Sequence, residues 1–181
     1  MPTKSNRRSI RLKGYDYSQE GLYFITLCCQ DRIYRFGKVV KGEMVLNQIG
    51  GIATACWLQI PEHFTNVTLH EFIIMPNHVH GIIEISLGAK YLSPSKGTDI
   101  SKERAKNISP QRPAGTSKTI GSVVRGFKIG VTKWARTNTN IHDLWQRNYY
   151  EHIIRNEKSY HNISQYIQNN PLNWNEDKFY H

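Results

Sequence analysis

The stretch VTLHEFIIMPNHVHGIIEI, Val67–Ile85, decides how the rest of the chain is read. Val67 to Met75 is rich in β-branched and apolar residues, Pro76-Asn77 is a turn signal, and His78 to Ile85 is apolar again. So short a connection predicts two antiparallel strands. The second strand carries two histidines, His78 and His80, with only Val79 between them. Residues two apart on a strand face the same side. The imidazoles therefore project together, roughly 6–7 Å apart at the backbone, while Val79 points the other way into packing. Neutral imidazole is a common ligand for divalent metals, and two at this spacing can converge on one ion. A bare His-x-His is more often a pair of ordinary strand histidines. Chemistry needs a further ligand and a reacting group.

Working outward, Gly21–Gln30 reads as a strand, and Tyr34–Asn47, with turn residues at Gly37 and Lys41-Gly42, as a short hairpin or an irregular excursion. Asn47 is a candidate N-cap for a helix whose apolar stripe is Ile49, Ile52, Ala53, Cys56, Trp57 and Ile60. Gly50 and Gly51 weaken its first turn, and Pro61 stops it. After residue 116, Ser117 is placed to cap a second helix, with Ile120, Val123, Val124, Phe127, Val131 and Trp134 in phase. Leu144–Asn156 reads as a fourth strand. Glu157–Asn170 reads as a last helix, with Tyr160, Ile163 and Ile167 on one side and Pro171 ending it. The order β-α-β-β-α-β-α predicts an α+β fold. It is a ferredoxin-like βαββαβ antiparallel sheet with helices on one face, followed by a C-terminal helix. The 181 residues fit a single domain, 1–181. A basic N-terminal arm (1–20) and a flexible basic loop (86–116), rich in Pro, Gly, Ser and Lys, are expected within it.

Charge points to the partner. Lys and Arg number 24 against 14 acids, a formal net charge of +10, which favours a polyanion, nucleic acid first. The surplus is concentrated: Lys96 to Arg136 holds ten Lys/Arg and two acids. On the second helix Arg125, Lys128, Lys133 and Arg136 lie off the apolar stripe, as candidates for phosphate contact. Arg147 and Arg155 join them from the fourth strand, where Tyr149 is an aromatic for base stacking and His152 a further polar group. Three cysteines (Cys28, Cys29, Cys56) without a framework spacing argue against a secreted disulfide scaffold. The first residues are basic with no apolar run after them, unlike a signal peptide, and no run approaches the roughly 20 apolar residues of a membrane span. A soluble cytoplasmic protein, on the nucleoid when bound to DNA, is expected.

The last helix supplies what His78 and His80 lack. Tyr166 and Asn170 are four apart and so share a helix face, offering a phenolic and an amide oxygen together. A tyrosine held beside a divalent cation can attack phosphorus. The combination MPNHVH (75–80) with YIQNNP (166–171), supported by GLYFITLCCQDRIYRFG and WQRNYYEHIIRNE, resembles the HUH-class single-tyrosine transposases, and within them the REP-associated tyrosine transposases. The resemblance covers about Tyr15 to Trp174. It implies a ferredoxin-like fold and Mg²⁺ or Mn²⁺ held by His78, His80 and Asn170. It implies Tyr166 as nucleophile and cleavage of hairpin-flanked single-stranded DNA through a 5′-phosphotyrosine. It also implies work as a monomer or homodimer, the Asn170 pattern favouring the monomer. Two other readings stand beside it: a non-catalytic DNA- or RNA-binding module of the same fold, with bases stacked on the sheet, and a zinc hydrolase, for which no H-E-x-x-H or comparable third ligand is present.

Overall fold

The computed structural model describes residues 19–86 and 119–180. All of the basic arm but residues 19 and 20, all of the predicted loop but Ser86, and Ser117 lie outside these residues.

Four strands form the main sheet: β1 (Gly21–Cys28), β4 (Val67–Met75), β5 (His78–Ile85) and β6 (Tyr150–Ile154). Their order is β4-β5-β1-β6, and every neighbouring pair is antiparallel. The predicted β4–β5 hairpin over Pro76-Asn77 is present, pairing Met75 with His78. The 34–47 stretch resolves as a separate hairpin of β2 (Gly37–Val40) and β3 (Glu43–Leu46), turning at Lys41-Gly42.

Local capping explains where the helices begin. Asn47 Oδ1 accepts from the Gly50 amide at 2.9 Å and opens α1 (Gln48–Leu58). Pro61 does not stop this helix. The chain breaks at Gln59 and restarts as a one-turn helix, α2 (Ile60–His63), with Pro61 in its first turn, where a missing N–H costs nothing. Gly50 also has a reason to be glycine: a Cβ there would meet the Phe36 carbonyl oxygen at 2.2 Å. Thr119 opens α3 (Ile120–Asn138) through a capping box with Ser122. Asn156 caps α4 (Glu157–Asn169), one residue shorter than expected, by accepting from the Ser159 amide at 2.8 Å.

The fourth strand is shorter than the 144–156 expected, and the reason is a lysine. The Lys128 Nζ donates to the carbonyls of Gln146 (2.8 Å) and Asn148 (2.9 Å), oxygens that a continuing strand would give to a neighbour. Residues 144–149 therefore approach as a tethered loop. A single bridge between Cys29 and Trp145 ties it to the end of β1.

The two faces of the sheet are built from alternate residues. Tyr23, Ile25 and Leu27 of β1 and Val79, Ile83 and Ile85 of β5 point toward α1 and α3, closing the main core with Trp57 and Phe127. Each fully buried large apolar side chain there contributes about 1.5–3 kcal/mol. On the opposite face α4 lays Ile163 and Ile167 over Ile82, Ile154, Leu22 and Phe24. After Pro171 the chain reverses and Trp174 and Phe179 pack on Cys28 and Met75, beside His78. Cys28 and Cys29 are both buried free thiols on opposite faces, as adjacent strand residues must be.

Candidate functional site

His78 and His80 stand together on the α4 face of the sheet, their ring centroids 4.4 Å apart, and both are fully buried. Neighbouring groups fix their orientation. Asn77 Nδ2 donates to the carbonyls of Phe179 (2.7 Å) and Arg32 (3.0 Å), so its Oδ1 must be the acceptor facing His78 Nδ1 at 2.9 Å. His78 is therefore the Nδ1–H tautomer, and its Nε2 carries a bare lone pair with no partner. His80 Nδ1 lies 2.8 Å from Thr26 Oγ1, the residue across the β1–β5 ladder. Burial holds both imidazoles well below their ordinary range, the neighbouring ring adding to the effect on His80. Both are neutral at physiological pH, the state a metal ligand requires.

Helix α4 brings the tyrosine. Tyr166 Oη lies 3.2 Å from His80 Nε2 and 3.2 Å from Asp177 Oδ2, with its ring 5.3 Å from that of His80. Asn170, at the helix end, donates from Nδ2 to Asp177 Oδ2 at 2.9 Å and leaves its buried Oδ1 without a partner. Burial, then the Asp177 carboxylate, push the Tyr166 hydroxyl up to about 12. The cluster is thus acceptor-rich: two orphaned lone pairs, a second imidazole and a carboxylate meet there. Ligand atoms of His78, His80 and Asp177 all lie within 4.8 Å of one another, an arrangement that could hold a metal ion.

Asp177 is the residue that sequence reasoning missed. It lies in the reversed tail, seven positions beyond Asn170 and outside any periodic element. A second missed group fastens α4 from its other end. Tyr160 Oη donates to Glu71 Oε2 (2.9 Å), which also accepts from Ser164 (3.2 Å). His70 stands between Tyr160 Oη (3.1 Å) and Glu84 Oε2 (3.0 Å). The β4 register shifts between Leu69 and Phe72, the segment that carries His70 and Glu71.

The predicted phosphate contacts separate into groups. Arg125, Lys133, Arg136 and Arg147 come together around a groove of about 740 Å³ along α3, on the face away from the histidines. Arg155 is not part of it. It borders another hollow, with His70 and Tyr160 near the start of α4. Lys128 lines the groove, but its ammonium is spent on the two carbonyls of the 146–148 loop and stacked over Trp145, and burial lowers it to about 8. It holds the loop rather than standing free for phosphate. Tyr149 packs against the main core at the groove, and Tyr150 is the exposed aromatic on the histidine face. His152 is exposed on that face too, paired in register with Phe24, and is outside the ligand cluster.

No family model matches the chain. It is 52% identical over 185 residues to an uncharacterised protein of Haemophilus influenzae, with 99% of each covered. A provisionally named REP-associated tyrosine transposase of the same organism is 24% identical over 157 residues, 87% of this chain and 73% of that one. The solved structure of a REP-associated tyrosine transposase bound to a REP hairpin superposes with a TM-score of 0.59 at 17% identity, covering 93% of this chain and 77% of that one. The chain resembles the REP-associated tyrosine transposases. The shared fold is a mixed α+β one with an antiparallel sheet, and the likeness supports a transposase-family role. Among the described residues no helix is long and apolar enough to cross a membrane.

Proposed function

We propose that the protein is a metal-dependent single-tyrosine transposase that cuts and rejoins hairpin-flanked single-stranded DNA. The observation that carries this reading is the approach of Tyr166 Oη to 3.2 Å from both His80 Nε2 and Asp177 Oδ2, beside the orphaned acceptors His78 Nε2 and Asn170 Oδ1. Buried acceptors without donors are costly unless something positive fills the gap. The sheet order, with β5 between β4 and β1 and β6 on the outer side of β1, supports the ferredoxin-like split βαβ plan.

His78, His80 and Asp177 would hold a divalent cation, with the Asn170 amide oxygen as a further ligand. Two imidazoles with two oxygens favour Mn²⁺ over Mg²⁺, whose preference is for oxygen alone. The cation would polarise a phosphate oxygen and counter the negative charge that builds in the transition state. The chain's own residues perform the transfer. Tyr166 Oη bonds to phosphorus as the P–O3′ bond breaks. Its proton passes to water, and the departing 3′-oxygen takes a proton from water. A 5′-phosphotyrosine and a free 3′-OH result, and the reverse attack rejoins the strand. The groove of Arg125, Lys133, Arg136 and Arg147 takes the phosphates of the hairpin.

The test is a labelled DNA hairpin with unpaired flanks, incubated with protein and Mn²⁺ and resolved under denaturing conditions. Wild type gives a covalent adduct and Tyr166→Phe gives none. An adduct in the phenylalanine variant would sink the nucleophile assignment. Binding without cleavage by wild type at any metal would leave the non-catalytic binding module as the better reading.

A further inference from the structure

Beside the histidine cluster, toward the β6 edge, lies a hollow of about 280 Å³. Phe24, Thr26, Tyr150 and Phe179 line it with the cations Arg32 and Lys178, and Glu151 and His152 complete the lining. We propose that this hollow is a stacking subsite for one unpaired nucleotide flanking the scissile phosphate, an inference that rests on the strand-cleavage reading above.

Position supports it first. Phe24 lies 5.2 Å from the His80 ring and 6.3 Å from the Tyr166 ring, and Thr26 Oγ1 holds His80 Nδ1. The hollow is therefore continuous with the tyrosine and the two histidines. Tyr150 pairs in register with Thr26 and so shares the His80 face, where it is 51% exposed. An exposed aromatic beside a polar site is a platform on which a base of any identity can stack.

Charge supports it next. The Arg32 guanidinium stands 5.4 Å and the Lys178 ammonium 4.9 Å from the centre of the Phe179 ring. The lining thus offers an apolar ring for a base and two cations for the phosphates on either side of it. The space is of the size of a single base with its sugar, and stacking on Tyr150 suits an unpaired base.

Topology supplies the route. β6 is an edge strand, and its neighbours in sequence face opposite sides: Tyr149 lines the α3 groove and Tyr150 lines the hollow. A hairpin stem lying along the basic groove can pass its unpaired flank round this edge to the cluster.

The experiment is a coupling measurement by fluorescence anisotropy. The probe is a fluorescein-labelled DNA hairpin with unpaired flanks of mixed sequence on both sides. The protein is the full chain carrying Tyr166→Phe, in chelator, so that nothing is cut. An abasic residue is placed at each flank position in turn and tested with Tyr150 intact and with Tyr150→Ala. At one position the abasic residue is expected to weaken binding about tenfold with Tyr150 intact and hardly at all without it. Tyr150→Trp should restore the loss, which a merely structural role for Tyr150 would not allow. That position should lie within two nucleotides of the cut mapped from the wild-type adduct. Additive losses at every position, no loss at any, or coupling only far from the cut each overturn the subsite. These results stand apart from the adduct test: an adduct without coupling keeps cleavage and removes the subsite, and coupling without an adduct removes cleavage and leaves the hollow a base-stacking site with no scissile phosphate beside it.

Discussion

The two faces of the sheet use the same strands to opposite ends. On one, Val79, Ile83 and Ile85 are sealed under α1 and α3 in a continuous apolar core. On the other, their neighbours His78 and His80 are just as deeply buried, yet they sit among an asparagine, an aspartate and a tyrosine with lone pairs left over. A fold that can bury two neutral imidazoles and leave acceptors unmatched must obtain its stability elsewhere. The face under α1 and α3 supplies it, and the histidine face is free to be shaped by chemistry.

The sharpest way to break that comparison is to disturb the packed face alone. Gly81 is the next residue after His80 and points at Trp57, where a Cβ would fall 2.3 and 2.8 Å from ring atoms of a fully buried indole. Neither strand nor ring has room to move, so Gly81→Ala should lower the unfolding free energy by about 3 kcal/mol in denaturant titration. A change below about 0.5 kcal/mol would mean the core under the sheet is not close-packed.

The alternation itself was legible in the sequence. Period-2 reasoning put His78 and His80 on one side and Val79 on the other, and period-3.6 reasoning put Tyr166 and Asn170 on a shared helix face. What escaped depends on contacts between elements. Asp177 reaches the cluster only because the chain reverses after Pro171 and Trp174 packs near Cys28 and Met75. Which of the adjacent Tyr149 and Tyr150 faces the histidines is set by the register of β6 on β1, which no local pattern fixes. Helical phase did place Lys128 off the apolar stripe, but not beneath Trp145 with its ammonium tied to a loop.

Lys128 offers a smaller test of the same division. Its neighbours Arg125, Lys133 and Arg136 are exposed along the groove, so replacing any of them should weaken DNA binding and flatten its salt dependence with little effect on folding. Lys128→Met removes two charge-assisted hydrogen bonds and strands two carbonyls, and should cost about 2 kcal/mol of stability. Thermal unfolding and binding at two salt concentrations separate the outcomes. A Lys128→Met protein that folds as wild type but binds DNA with a shallower salt slope would return this lysine to the phosphate contacts.

The smallest effect probes the histidine face in chelator, free of metal. Burial holds the folded pKa of His78 and His80 below the ordinary 6.5 that an unfolded chain would show. Below pH 6.5 the unfolded state therefore binds protons that the folded state refuses. Stability is fully present above that pH and falls as the solution is acidified toward the folded values. Between pH 7 and pH 5.5 an imidazole kept neutral by the fold should lower the stability by about 1 kcal/mol on this account. His78→Asn deletes one such group, so its unfolding free energy should decline less steeply over the same interval, by about that amount. Equal slopes in the two proteins would show that the folded chain takes up the proton at His78 as readily as the unfolded chain does. The imidazole would then not be the dry, neutral group that its place beneath Phe179 makes it.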